Sequence, residues 1–503
     1  MLASILPFVI AALGALAMAL AFPKTSVVVL APIGATGLFW AWFGVSPKRA
    51  FWLGWLSGTI FFDLNFAWFG ETAGAFVAPF GFLLALGPAI VEALLGFALT
   101  GALSAYLARS LGSRSRAARA LVPTGAAAAF AFAEWLRSEA LGELGVPFGS
   151  LGYTQANSPA APVAAFAGTY GLTFLICVLG AYAAYAIRLR GVRGVAVDTA
   201  LAGTAVAVCA GTCAFFAPAR AAAAPTFPVA AIQGNIAQAI KFRPSAFPVT
   251  FARYERLTLL ASATHPRLIV WPETVMPVAM NRDPALVTRL GELAKRVHAA
   301  LVVGTLAVLP EGEYNVLYVF GPSGELETLY RKRQLVPFAE HLPFAPLLRR
   351  IPWTSNISDF LAGSGTDVFT AAGVHVGPVI CWESDFSGLI RSDVRAGASA
   401  LVIATDDAWF GTTAGPYMHA QTAQLRALES GRWIVRAAST GISGIIAPDG
   451  RYTQASKLGA AAIVSGKIGT PVTTPFVALG GGGLALLFAA LYLGVALLGR
   501  AKA

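Results

Sequence analysis

Three side chains of different chemistry stand at marked places in the sequence. Glu273 ends the run Leu268-Ile269-Val270-Trp271-Pro272-Glu273, and Cys381 follows the apolar stretch His375–Ile380 and precedes Trp382-Glu383. Lys332 lies in Tyr330-Arg331-Lys332-Arg333, ahead of Leu335-Val336-Pro337-Phe338 and then Glu340. Attack on a carbonyl carbon needs a nucleophile, a group that takes its proton, and a charge facing the oxyanion. A thiol, a carboxylate and an ammonium supply those parts, and the ammonium also favours the thiolate. Taken singly, each has a plain structural reading: a turn glutamate, a solvated basic turn, a buried inert thiol. Glu340 and Glu383 form a second tier, able to orient Lys332, hold an incoming amine, or accept backbone N–H groups. The five His are scattered, with no His-Glu-x-x-His or paired Cys/His spacing, and no Gly-x-Ser-x-Gly elbow or P-loop is present. Neither a metal nor an organic cofactor is expected.

The elements that must carry these groups lie between about 225 and 470. Phe227–Gln233, Arg267–Trp271, Leu301–Thr305, Val316–Phe320, His375–Ile380, Ala400–Thr405 and Trp433–Ala438 read as strands, with helices over Pro284–Ala299 and Tyr417–Gly431. Alternation of this kind predicts an α/β layered domain with its reactive groups at the carboxyl ends of strands.

The rest of the 503 residues has another texture. The chain is 56% hydrophobic and only 12% charged, with a mean hydropathy of +0.67, which excludes a wholly soluble enzyme. Apolar stretches near 2–22, 26–44, 51–70, 79–107, 121–136, 160–187 and 196–218, and another near 476–499, approach the length that crosses a ~30 Å hydrocarbon core. The expected organisation is a seven-helix membrane domain over 1–220, an outer domain over 225–470, and a closing membrane helix over 476–499. The first stretch lacks a positive n-region and is read as an uncleaved helix.

Alternating the loops puts Lys48, Arg49, Arg109, Arg114, Arg116, Arg119, Arg188, Arg190, Arg193, Arg500 and Lys502 on one side. The short loops of the other side hold only Lys24 and Arg137. By the positive-inside rule both termini are cytoplasmic and the 225–470 domain is outside. The net charge of +11 then reflects topology, and nucleic acid is not expected as a partner. Of four Cys, Cys177, Cys209 and Cys213 fall in membrane helices, which leaves Cys381 alone in the outer domain, where a reactive thiol has no bridging partner. Glu134 and Arg137 sit at the outer end of a membrane helix, either as substrate contacts or as a mutual ion pair.

Together, Trp271-Pro272-Glu273, Tyr330-Arg331-Lys332 and Cys381-Trp382-Glu383 resemble the nitrilase, or carbon–nitrogen hydrolase, superfamily, whose fold is a four-layer αββα sandwich carrying a Glu–Lys–Cys triad. With the membrane helices, nearly the whole chain resembles the apolipoprotein N-acyltransferase family. Gln233-Gly234-Asn235-Ile236, Asp407-Ala408-Trp409-Phe410-Gly411, Arg426-Ala427-Leu428-Glu429 and Glu134-Trp135-Leu136-Arg137 add to the match, as do Pro147-Phe148 and Leu151-Gly152-Tyr153. The chain departs from the family pattern at Phe242 (usually Trp), Trp382 (usually Tyr) and Asp406 (often Asn).

The resemblance implies a ping-pong reaction in the bacterial inner membrane, with the catalytic domain in the periplasm. A phospholipid such as phosphatidylethanolamine would give an acyl chain to Cys381 as a thioester, and the α-amine of a diacylglyceryl-apolipoprotein would take it. Phe242, Trp353, Trp409 and Phe410, with Glu134 and Arg137, are the expected substrate contacts, and Trp382 supports the nucleophile. The stretch 341–363 is read either as an interfacial lid or as a core helix of the sandwich. Two rival readings are a membrane-tethered amidase acting on small amides and a transporter with an inert outer domain.

Overall fold

The computed structural model describes residues 2–74, 81–189, 226–351 and 357–500, with 211 and 354 singly. The expected membrane helix at 196–218, with Cys209 and Cys213, and the expected substrate contact Trp353 lie outside the described residues.

In chain order the strands are β1 (Phe227–Gln233), β2 (Leu268–Val270), β3 (Met276–Ala279), β4 (Ala300–Leu309), β5 (Gly312–Phe320), β6 (Leu326–Arg331), β7 (Phe369–Ala371), β8 (Val374–Ile380), β9 (Ala400–Thr405), β10 (Trp433–Ala438), β11 (Gly444–Ile446), β12 (Tyr452–Ala455) and β13 (Ala462–Ile468). They form two sheets, ordered β13-β1-β2-β4-β5-β6, with β3 on β4, and β12-β11-β10-β9-β8-β7. The strands read from sequence match in place, although β4 and β5 are longer than expected.

Side chains alternate across each strand, and both faces are covered, which is why the strands read as nearly continuous apolar runs. Val229, Ala231, Leu268, Val270 and Val302 of the first sheet meet Val376, Val402, Ala404 and Val435 of the second in a central core. The opposite face of the first sheet, including Ile232, Ile269 and Leu301, packs on the helices Phe247–Ala261 and Pro284–Val297. The opposite face of the second packs on Ser387–Arg395 and Gly415–Ser430. The result is the four-layer αββα sandwich.

Register decides where the chemistry goes. The parallel pairs Ile380↔Ala404 and Ala438↔Thr405 bring the carboxyl ends of β8, β9 and β10 into line. In the first sheet Ala231, Val270 and Val302 lie abreast. Residues that follow these strands therefore collect at one edge of the sandwich.

Outside the sandwich the described residues form packed helices. Three are long and apolar enough to cross a membrane: Leu86–Ser110, Ala161–Arg188 and Pro475–Arg500; Ile5–Ala19 and Leu30–Phe43 are shorter and apolar. Two kinks occur at glycines in the left-handed region, Gly168 (φ 59°) and Gly480 (φ 70°), near the starts of their helices. The helix Val122–Trp135 continues through a π-turn, Leu136–Ala140, which carries Arg137.

Candidate active site

The turn after β2 carries Glu273 because its surroundings leave it one path. Trp271 is buried, and its indole N–H donates to Thr258 Oγ1 at 2.8 Å. The turn is then hydrogen-bonded along β4, Trp271 N–H to the Val302 carbonyl (2.8 Å) and Val275 N–H to that of Gly304 (2.9 Å). At Gly304 a Cβ would lie 2.2 Å from the Pro272 carbonyl oxygen and 2.6 Å from Glu273 Cα, so only glycine allows this approach.

Lys332 extends the β5–β6 ladder, donating its N–H to the Asn315 carbonyl at 2.9 Å. Its ammonium, 1% exposed, lies 3.0 Å from Glu273 Oε1 and 2.9 Å from Glu340 Oε1. Asn315 Nδ2 bridges the same two oxygens at 2.7 and 2.8 Å. Cys381 follows β8 with φ 49°, a left-handed conformation uncommon for a non-glycine residue. It is partly exposed and opens a 3₁₀ turn, Cys381–Asp385. Its carbonyl accepts from Ser384 Oγ at 2.8 Å and lies 3.3 Å from His419 Nε2.

The electrostatics fit a resting carboxylate and thiol. Burial pushes the Cys381 thiol well above its ordinary value, the Glu273 charge adds to this, and Lys332 opposes it. Burial also disfavours ionised Glu273, but Lys332 and Lys241, with hydrogen bonds from Lys332 and Asn315, outweigh it and hold that carboxyl below its ordinary value. Lys332 is itself pushed up, because Glu273 and Glu340 more than offset its burial. The arrangement can pass a proton from thiol to carboxylate while an ammonium stays beside the reacting carbon.

The second tier separates. Glu340 touches Lys332 and Asn315 directly and takes the Val336 N–H on Oε2 at 2.9 Å. Glu383 instead receives the N–H groups of Ile380 (2.6 Å) and Arg333 (2.6 Å) and the Tyr330 hydroxyl (2.8 Å). Of the roles open to it, the structure brings out the backbone acceptor. It ties the segment after Lys332 to the strand that precedes Cys381.

The aromatic residues also divide. Phe242 is 50% exposed and stands 6.1 Å from Trp409, forming a lip. Phe410 and Trp382 are buried. Trp382 stacks on Phe148 of the helical part at 5.7 Å, and Phe410 meets Trp68 edge-on at 4.8 Å. Phe410, expected among the substrate contacts, has its ring in the joint between sandwich and helices.

Glu134 and Arg137 are likewise occupied within the chain. Arg137 Nη1 lies 3.1 Å from Glu92 Oε2 and donates to the Val146 carbonyl at 2.7 Å; its Nη2 is 3.8 Å from Glu134. Glu134 accepts the Leu151 N–H at 2.7 Å and the Thr173 hydroxyl. Arg137 thus pairs more closely with Glu92 than with Glu134, and the two residues hold the loop over 146–151 of the helical part. Among its described residues, 341–363 does not form a continuous core helix. Ala345–Leu348 is the one α-helical stretch among its described residues, Phe344 and Leu347 are each 64% exposed, and Arg349 turns back onto Asp359 and the Thr354 carbonyl.

Three participants were not expected from sequence: Asn315, Lys241 and the chain Ser384–His419–Asp407–Arg436. In the last, His419 lies 2.8 Å from Ser384 Oγ and 2.9 Å from Asp407, which accepts from Arg436 at 2.9 Å. Glu273 after its apolar run had a visible marker; a mid-strand Asn has none.

Residues 228–470 match the carbon-nitrogen hydrolase family, and residues 14–182 match the apolipoprotein N-acyltransferase N-terminal domain. Fold and site thus define a carbon–nitrogen hydrolase domain joined to a helical domain. The chain is 32% identical over 483 residues to the apolipoprotein N-acyltransferase of Geobacter metallireducens, covering 92% of this chain and 89% of that one. It is 32% identical over 428 residues to that of Pseudomonas syringae pv. tomato, covering 81% and 80%. An amidase from Nesterenkonia sp. is similar at 18% identity and a TM-score of 0.39, covering 51% of this chain and 94% of that chain. The chain belongs to the apolipoprotein N-acyltransferase family.

Proposed function

We propose that this membrane-bound acyltransferase moves an acyl chain from a phospholipid, phosphatidylethanolamine among them, to the α-amine of a diacylglyceryl-cysteine at an apolipoprotein N-terminus. Cys381 is the nucleophile. Glu273 takes its proton and returns it to the leaving lysophospholipid, and Lys332 faces the oxyanion. The acceptor amine then attacks the thioester, losing its proton to Glu273 as Cys381 leaves. The observation that carries this reading is the meeting of Glu273, Lys332 and Cys381 at one edge of the sandwich, with the residue after the nucleophile packed on the helical part.

The same reading sets seven membrane helices within 1–220, the catalytic domain over 225–470 and a last membrane helix over 476–499. The termini are cytoplasmic and the site is periplasmic, at the inner membrane. The exposed apolar residues Phe338, Phe344, Leu347 and Ile351, on the segment that follows Lys332 in the chain, support a lid that meets acyl chains, with Phe242 and Trp409 at its lip.

The test is intact mass of the purified protein after incubation with phosphatidylethanolamine, before and after hydroxylamine, beside Cys381→Ala. The expected result is a hydroxylamine-labile gain of one acyl chain, absent in the variant and discharged by a diacylated lipopeptide. Turnover of a small amide without any lipid adduct would replace this reading with the tethered amidase.

A further inference from the structure

A carboxylate offers about four lone-pair directions, and three of those on Glu273 are filled. Oε1 takes Asn315 and Lys332. Oε2 takes the main-chain N–H of Asp406 at 2.8 Å, which leaves one direction on Oε2 open to a proton donor. The donor that fixes Oε2 thus comes from Asp406, one of three positions where the sequence departs from the pattern of the family it resembles.

Asp406 brings a negative charge to a site that needs an ionised base. It is 2% exposed, and its carboxylate is paired with the ammonium of Lys241, 4% exposed. Its other oxygen accepts from the Ser439 hydroxyl and the Ala408 N–H. Lys241 also donates to the Glu273 carbonyl at 3.3 Å. Lys241 comes from the segment after β1 and Asp406 from the end of β9, so the pair crosses from one sheet to the other over the base.

We propose that Lys241 and Asp406 act as one positioning unit for Glu273: the Asp406 amide aims Oε2 at the thiol, and Lys241 cancels the charge that the Asp406 side chain adds. The proposal rests on Glu273 being the base of the acyl transfer. The charged and titratable groups around that base are Lys332 and Glu340 beyond β6, Lys241 beyond β1, Asp406 beyond β9 and Cys381 beyond β8. Tyr254, on the helix Phe247–Ala261, faces Asp406. Lys241→Met would leave a buried carboxylate beside Glu273, and a like charge favours the protonated base. Asp406→Asn would leave an unopposed ammonium, with the opposite effect. Changing both removes the charges together.

The experiment follows alkylation of Cys381 by iodoacetamide from about pH 2.5, below the ordinary carboxylate range, to about pH 9, read by intact mass on the full-length protein in detergent. Sulfur displaces iodide and the thiol proton goes to Glu273, so the acid limb of the rate reports the base. Lys241→Met is expected to move that limb up by about one pH unit, a tenfold loss on the limb. Lys241→Arg should leave it in place, Asp406→Asn should move it down, and the double variant should return it near the wild-type position. Uniform slowing at every pH, with the double variant no better than Lys241→Met, would overturn the proposal. If Lys241→Met does not fold, the comparison of Asp406→Asn with the double variant decides by the sign of its shift. Phospholipid incubation of the wild type runs in parallel. Alkylation without an acyl adduct would sink the transfer reading and leave the alkylation comparison standing.

Discussion

Lys332 lies between two carboxylates and beside a thiol, and its removal has a signed consequence. In the wild type Glu273 is held below its ordinary value chiefly by the ammonium, against burial. Thioester formation should therefore persist as pH falls until the ordinary carboxylate range, near ~4.3, has been passed. With Lys332→Met, burial is no longer opposed by that charge and the carboxyl rises, so the acid limb should move up toward neutrality. The thiol, already pushed up, loses its stabilising charge as well, and the maximal rate should fall by about 10²–10⁴-fold. Quenched single-turnover acylation read by mass across pH checks both effects. A slower enzyme with an unmoved acid limb would argue that Lys332 serves the oxyanion alone. Glu340→Gln is a milder change. It keeps an acceptor for Asn315 and Lys332 while removing one charge, and a loss of about tenfold in the same assay is expected, close to the worth of one hydrogen bond to a charged group.

At the scale of elements, the catalytic turn after β2 depends on β4, its neighbour in the sheet. Gly304 belongs to β4, yet a methyl group there would displace the Pro272–Glu273 turn, because its nearest neighbour is backbone. Gly304→Ala should lower acylation by about 100-fold, the effect of misplacing a reacting group by an ångström, and lower the melting temperature by several degrees. Unchanged acylation would show that the turn can shift without cost. The same dependence explains what sequence could reveal. Glu273, Lys332 and Cys381 were legible because each stands in its own run of neighbours, and β1 and β9 because four or more apolar residues follow one another. Asn315 and Lys241 were not, since each meets Glu273 only through pairing between distant segments. β6 was missed because Leu326–Arg331 mixes charge with a half-exposed face. Phe410 and Trp382 were legible as important aromatic residues, but nothing in a ring's identity says whether it faces an acyl chain or another ring.

At the scale of the whole molecule, the sandwich and the helices share one buried joint. Phe148, 1% exposed, touches Trp382, Phe410 and His419 with ring centroids 5.7, 5.9 and 6.2 Å away. Glu139 takes the Ser387 N–H at 3.0 Å, and the Tyr153 hydroxyl donates to the Asp385 carbonyl at 3.3 Å. The most directional link is Glu429. Its Oε1 accepts the Thr169 N–H at 2.7 Å and the Thr169 hydroxyl at 2.9 Å, while Oε2 pairs with Arg426 at 3.0 Å. Thr169 follows the kink at Gly168, so a carboxylate from the catalytic domain satisfies an N–H that the kink frees in a helix long enough to cross a membrane. Glu429→Ala would orphan that donor and leave the buried Arg426 guanidinium unpaired, a loss of about 3–5 kcal/mol by the measure of other buried pairs. Arg426→Met with Glu429→Gln removes both charges and keeps an acceptor for Thr169, so the double change should cost less than Glu429→Ala alone. Hydrogen exchange over 164–175 in the full-length protein reads the joint itself. Glu429→Ala should accelerate exchange there and slow thioester formation, because the turn holding Cys381 leans on the same joint through Trp382. If exchange at Thr169 and Tyr170 stays at the wild-type rate while acylation falls, the joint is not what Glu429 secures, and its role lies within the catalytic domain.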